Sequence, residues 1–186
     1  MPDPVLNGST LADVLGARAA ADPARIALLV DGRSITRGQL ARAVSEATAT
    51  LRDRWAVERG HRVAYFGLNR HEELVLLFAL ARLGAVLVPL NTRLAAAELA
   101  GIVAHAQLHT LVADSGHRAV GTVVLDSAAT CSDRPAQTVR LRSIDELCER
   151  PDAGRGPRSA PGPDADPVDP HWPVLMVYTS GATGAP

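Results

Sequence analysis

The residues whose types and spacing suit chemistry lie together in Thr179-Ser180-Gly181-Ala182-Thr183-Gly184. Glycines let successive backbone N–H groups turn toward one centre, which makes a nest of positive potential. The hydroxyls of Thr179, Ser180 and Thr183 add donors. Such a set suits an anion, and a triphosphate tail fits it well. The pattern is not a Walker A loop, which needs G-x-x-x-x-G-K-[ST]; here Gly181 is followed five residues later by Pro186. Nor does the sequence contain the G-x-G-x-x-G of a dinucleotide site.

Other groups of reactive residues read more simply as structure. His105 and His109 have a spacing that can chelate a metal on one helix. His109, however, falls past the expected helix end, which leaves two surface imidazoles. Glu72 and Glu73 are adjacent, so on a helix they point apart. They fit a helix N-terminus that favours negative charge. Asp164, Asp166 and Asp169 sit in a proline-rich stretch and read as solvated. Arg52-Asp53-Arg54-Trp55 reads as a helix end.

These groups need elements to position them. Ser9 and Thr10 cap a first helix that runs to about Asp22-Pro23. Ile26 to Val30, the Asp31-Gly32 turn and Ser34-Ile35-Thr36 predict a hairpin. Thr36 opens a second helix with Leu40, Val44, Ala47 and Leu51 at helical spacing. Strands are expected at 62–66, 85–88, 110–113, 122–125 and 174–178. Helices are expected at 72–83 and 94–106. In the first of these, Leu74, Leu77, Phe78 and Ala81 make the packing face, and Gly84 ends it. Uninterrupted apolar strands suit a parallel sheet buried on both faces. The alternation predicts an α/β fold, a layered parallel-rich sheet flanked by helices.

Residues 1–150 thus read as an incomplete α/β subdomain. Residues 151–170 hold six prolines, three glycines and four aspartates, and read as a loop or linker. Residues 171–186 read as a strand plus the phosphate loop.

Composition narrows the classes further. The 186 residues carry a net charge of −1, without the basic excess of a nucleic-acid binder. All 19 basic residues are arginine. A lysine Schiff base, a lysine general base and a Walker lysine are therefore excluded within this chain. Cys131 and Cys148 form no C-x-x-C, which argues for free thiols over a disulfide framework or structural zinc. The apolar runs Leu74–Ala81 and Leu83–Leu90 fall short of the ~20 residues of a membrane span. Met1 to Asn7 lacks a basic start and an apolar run. A cytoplasmic protein is expected.

Tyr178-Thr179-Ser180-Gly181-Ala182-Thr183-Gly184-Ala185-Pro186 resembles the phosphate-loop signature Y-T-S-G-[ST]-T-G-x-P-K-G. That signature belongs to the AMP-forming adenylating enzymes, the superfamily of acyl-CoA synthetases, adenylation domains and luciferases. A second stretch agrees: Gly67-Leu68-Asn69, Glu73-Leu74, Ala81 through Leu94, and Glu98-Leu99. Arg33-Ser34-Ile35-Thr36, Leu40 and Gly60-His61-Arg62-Val63-Ala64 also fit. The resemblance covers most of residues 9–114 and 166–186 and is similar in particular to fatty-acyl and feruloyl-type acid–CoA ligases. Residues 127–165 match nothing in particular.

The resemblance implies the first part of the large N-terminal domain of an adenylate-forming enzyme. Such enzymes use ATP and Mg²⁺ to turn a carboxylic acid into an acyl-adenylate, releasing pyrophosphate, then pass the acyl group to a thiol, usually coenzyme A. It assigns Thr179, Ser180, Gly181, Thr183 and Gly184 to the ATP phosphates, where a loop supplies positioning and electrostatic stabilisation. Two departures matter. Ala182 stands where the family has Ser or Thr, and the family's two lysines have no counterpart in a chain without lysine. The expectation is an N-terminal fragment of an acid–CoA ligase, inactive alone and able at most to bind polyphosphate weakly. The alternative is a non-enzymatic interaction or regulatory protein that pairs with a ligase-like partner, a complementing chain or itself. A stand-alone nucleotide-binding module ranks last, because the family's adenine and ribose sites lie in other segments.

Overall fold

The computed structural model describes residues 10–130, 139–147, 169 and 171–179. Helix α1 (Leu11–Ala21) starts on a reciprocal cap: the Thr10 hydroxyl accepts the Asp13 N–H, and Asp13 reaches back to the Thr10 N–H. Strands β1 (Ile26–Val30) and β2 (Arg33–Thr36) form the expected antiparallel hairpin. Thr36 then caps α2 (Arg37–Ala49) in the same reciprocal way with Gln39. One π-helical turn, Thr50–Arg54, follows. Within it Arg52 pairs with Asp53 at 2.9 Å, as a helix end allows.

The main sheet is built from β3 (Arg62–Phe66), β4 (Val86–Pro89), β5 (Thr110–Ala113) and β6 (Arg140–Ser143). All its pairings are parallel, in the order β4-β3-β5-β6. Helices α3 (His71–Leu83), α4 (Ala96–Ala106) and α5 (Arg118–Thr130) make the crossovers. A 3-10 turn, Ile144–Leu147, follows β6. Strand residues alternate between two apolar cores. Val63, Tyr65, Leu87 and Val112 face α1, α2 and α3. Ala64, Phe66, Val88 and Leu111 face α4 and α5. Both faces are covered, which is why these strands read as unbroken apolar runs.

Three expectations need correction. The run 174–178 is not a ladder strand: only Leu175 bridges, to Leu87, and the segment packs Met176 and Tyr178 on one side alone. The run Thr122–Leu125 is not a strand; it lies inside α5. Val124 and Ala128 turn inward one helical turn apart while Val123 is exposed, so packing overrides the β propensity of adjacent valines. The strand is β6 instead, hidden by Arg140 and Arg142. The packing face of α3 is Val75, Leu76, Ala79 and Leu80, all essentially sealed, and of the expected face only Ala81 is buried as predicted. Leu74 is exposed and Leu77 and Phe78 are half-buried, because this helix is apolar nearly all round and two stripes competed. Gly84 does end α3, at φ 64°, in the left-handed conformation. Cys131, Cys148, Asp164 and Asp166, and nearly all of the 151–170 stretch, lie outside the described residues. Among the described residues, no helix is long and apolar enough to cross a membrane.

His109 begins the turn into β5 rather than sharing a helix with His105. Its ring stacks on His61, with centroids 3.9 Å apart, and its Nδ1 accepts the Arg62 N–H at 3.2 Å. Burial lowers its pKa, and His61 and Arg62 push the same way against Glu58. The folded chain therefore resists protonation there. Its contribution is complete above the unfolded value, about 6.5, and is lost as pH falls through the lowered folded value. Urea midpoints are expected to drop between pH 7.5 and 5, and His109→Gln is expected to flatten that drop. An unchanged slope in the variant would refute the assignment.

Candidate phosphate site

Parallel topology directs attention to the carboxyl ends of the strands. The crossover after β3 leads to β4 on one side, and the one after β5 leads to β6 on the other. Adjacent β3 and β5 therefore form a switch point, where open α/β sheets bind ligands. Here the two strand ends are tied to each other. Asp114 is buried and its Oδ2 accepts the Leu68 N–H at 2.9 Å. Its Oδ1 accepts the His117 N–H at 2.8 Å and lies 2.7 Å from His117 Nδ1. The Tyr65 hydroxyl donates to the Leu68 carbonyl at 2.7 Å.

Electrostatics follow from that packing. Burial pushes the Asp114 carboxyl up, but hydrogen bonds from Leu68 and His117 outweigh it and hold the group below its usual range. Burial, then Asp114, push the Tyr65 phenol up to about 12, so it stays a neutral donor. Gly67 is required by space: a Cβ there would sit 2.6 Å from Asp114 Oδ2 and 2.7 Å from the Tyr65 hydroxyl. Nearby, Arg70 at the head of α3 bridges Glu72 at 3.0 Å and Asp145 at 3.1 Å. Burial opposes ionisation of Glu72, yet Arg70 and His71 hold its pKa down. Glu72 thus pairs within the first turn, and the half-buried Glu73 has its pKa raised by burial.

The predicted phosphate residues follow a different segment. Residues 174–179 run extended beside β4, and Leu175 bridges Leu87 in parallel. Leu87 donates to the Val174 carbonyl at 3.0 Å, and Met176 donates to the Leu87 carbonyl at 2.9 Å. The segment therefore leaves its bridge heading the same way as β4. Met176 and Tyr178 pack on the α4–α5 core, while Leu175 and Val177 are exposed on the other side. Thr179 is exposed at the end of this segment. Ser180, Gly181, Thr183 and Gly184 lie outside the described residues. The His105 ring, set apart above as a surface imidazole, meets Tyr178: Nδ1 and the phenol oxygen are 2.7 Å apart. Residue types gave no signal for that contact, since the two are far apart in sequence. Asp114-Ser115-Gly116-His117 did carry one, as an aspartate followed by a turn.

Fold and site together define a doubly wound parallel α/β layer that carries a glycine- and hydroxyl-rich loop after an edge segment. The chain belongs to the AMP-binding enzyme family, whose model matches residues 15–186. It is 33% identical over 181 residues to an indoleacetate–CoA ligase of Aromatoleum aromaticum, covering 95% of this chain and 33% of that protein. It is 32% identical over 169 residues to a feruloyl-CoA synthase of an Amycolatopsis species, covering 91% and 30%. Its fold matches the N-terminal domain of FACL13 from Mycobacterium tuberculosis with a TM-score of 0.69 at 26% identity, over 92% of this chain and 42% of that one. The chain spans a third or less of the length of the curated relatives it matches.

The Asp114 junction makes a direct prediction. Gly67→Ala is expected to cost about 1–3 kcal/mol by overpacking. Much of that cost should vanish in an Asp114→Ala background, because the clashing carboxylate is gone. Being depressed, the Asp114 pKa contributes stability above about pH 3.9 that is lost as pH falls through the folded value. Denaturant midpoints of the four chains at pH 7 and pH 3 check both points; additive costs would refute the junction.

Proposed function

We propose that this chain supplies the N-terminal part of an AMP-forming acid–CoA ligase, acting on a fatty or aromatic carboxylic acid, with its phosphate loop at Thr179, Ser180, Gly181, Thr183 and Gly184. The observation that carries this reading is the 174–179 segment, laid parallel to β4 and ending on an exposed Thr179 hydroxyl at the head of the loop. The donor set fits a polyphosphate: hydroxyls plus glycine-freed backbone N–H groups, and no carboxylate among residues 179–186 to repel it. In the ligase reaction the acid's carboxylate attacks the α-phosphate of ATP, pyrophosphate leaves, and the acyl group then passes to the coenzyme A thiol. The loop's share is to hold the β- and γ-phosphates in place and to offset their charge.

Among the described residues, no group of three or more His, Cys, Asp or Glu side chains is placed to hold a metal ion. The general base, the adenine pocket and the acyl pocket are likewise unassigned to residues of this chain. The cytoplasm, where ATP and coenzyme A are at hand, is the setting this reading calls for. A second reading, a protein that pairs with a ligase-like chain or a second copy, is favoured by exposed Leu175 and Val177 beside an open strand edge.

Ala182 offers the sharpest test, because restoring a hydroxyl should improve the site. A donor to a charged group contributes about 1.5–3 kcal/mol. Tripolyphosphate binding, followed by ³¹P line shape, is expected to be weak and saturable in the native chain and about tenfold or more tighter in Ala182→Thr. Ser180→Ala should weaken it. Binding that is indifferent to both changes would overturn the assignment, as would acid-dependent ATP–pyrophosphate exchange by the 186-residue chain alone, for the claim that it is only a part.

A further inference from the structure

We propose that His105, on the last turn of α4, is a positioning residue for the phosphate loop, acting through Tyr178; this rests on the phosphate reading above. Little else among the described residues holds the segment. Among the described residues, its backbone ties to the sheet are the two hydrogen bonds made by Leu87. Beyond that single bridge it has no ladder, so side chains must fix its path. Met176 contributes apolar packing, which resists removal from the core but tolerates sliding. Directional restraint comes from Tyr178.

Tyr178 immediately precedes Thr179, the first hydroxyl of the loop. Its ring meets the His105 ring edge-on, with centroids 5.7 Å apart at 89°. The phenol oxygen lies 2.7 Å from Nδ1. The phenol donates to Nδ1 in the tautomer that carries its proton on Nε2 and accepts from it in the other, so either tautomer keeps the bond. Edge-to-face packing and a short hydrogen bond together fix both the distance and the rotation of the Tyr178 ring. The helix behind His105 is firm: Ala106, its neighbour, is fully buried, and the Ala106 carbonyl accepts from Arg62 Nη1 at 2.7 Å. α4 therefore acts as the post and Tyr178 as the directional tether of the 174–179 segment, which is otherwise held, among the described residues, by one bridge and the packing of Met176. An untethered loop must be ordered by its ligand, which weakens binding.

The test uses His105→Leu, Tyr178→Phe, the double variant, and His105→Asn, whose side-chain carbonyl occupies about the place of Nδ1. Two readouts are taken on the 186-residue chain: hydrogen exchange of amides 174–179 without ligand, and affinity for tripolyphosphate. His105→Leu and Tyr178→Phe are each expected to weaken tripolyphosphate binding about threefold to tenfold, the range one hydrogen bond supports. Together they should cost no more than either alone, and His105→Asn should restore binding to within about twofold. Exchange in 174–179 should rise in the first two variants and recover in the third, while β3 and β5 stay protected. Wild-type binding that persists in His105→Leu overturns the positioning role and leaves the phosphate site standing. A wild-type chain that ignores tripolyphosphate overturns the phosphate reading, and the role with it. Loss of protection across β3 and β5 in His105→Leu overturns the role too, since the effect would then be global unfolding.

Discussion

Asp114 accepts the Leu68 N–H across the ends of the two central strands, and the shape of the sheet's carboxyl edge depends on that one carboxylate. It is buried, so it must be charged and fully partnered or not there at all. Leu68 and both donors of His117 supply the partners. Gly67 supplies the room. The β3 and β5 ends, the place where doubly wound sheets bind ligands, are thus tied to each other. The segment beside β4 leads to Thr179 along another part of the sheet.

The two sides of the sheet divide the work. On one face α1, α2 and α3 pack with the hairpin close by, and Arg70 ties the head of α3 to Glu72 and Asp145. On the other, α4 and α5 pack as a pair and carry Met176 and Tyr178. Residues 174–179 therefore lie along the second face, and His105 meets them at Tyr178. Leu175 and Val177 are exposed on the opposite side, and among the described residues no strand pairs there.

Much of this was legible in the sequence, for identifiable reasons. Thr10 and Thr36 announce their helices because a capping hydroxyl needs a side chain three residues on that can answer it, and Asp13 and Gln39 do. β3 and β5 were legible as short apolar runs between turn signals. β6 was not, since Arg140, Arg142 and Ser143 conceal an edge strand that has little apolar surface to bury. Thr122–Leu125 misled because β-branched residues favour strands locally, while packing against α4 decides the outcome. On α3, an all-round apolar helix offers two stripes, and only the sheet selects between them. The phosphate loop was expected from residue type, and beyond Thr179 it lies outside the described residues. The Tyr178–His105 contact was not, because no local pattern links residues so far apart.

The account's central claim is that anion binding belongs to the loop that begins at Thr179 and not to the arginine-bearing surface. Amide NMR of the 186-residue chain during a tripolyphosphate titration tests it most directly. The account predicts saturable shifts concentrated in residues 178–184, with the Asp114 junction at Gly67, Leu68 and His117 unmoved. Shifts scattered over surface arginines, or centred on the β3–β5 ends, would contradict it.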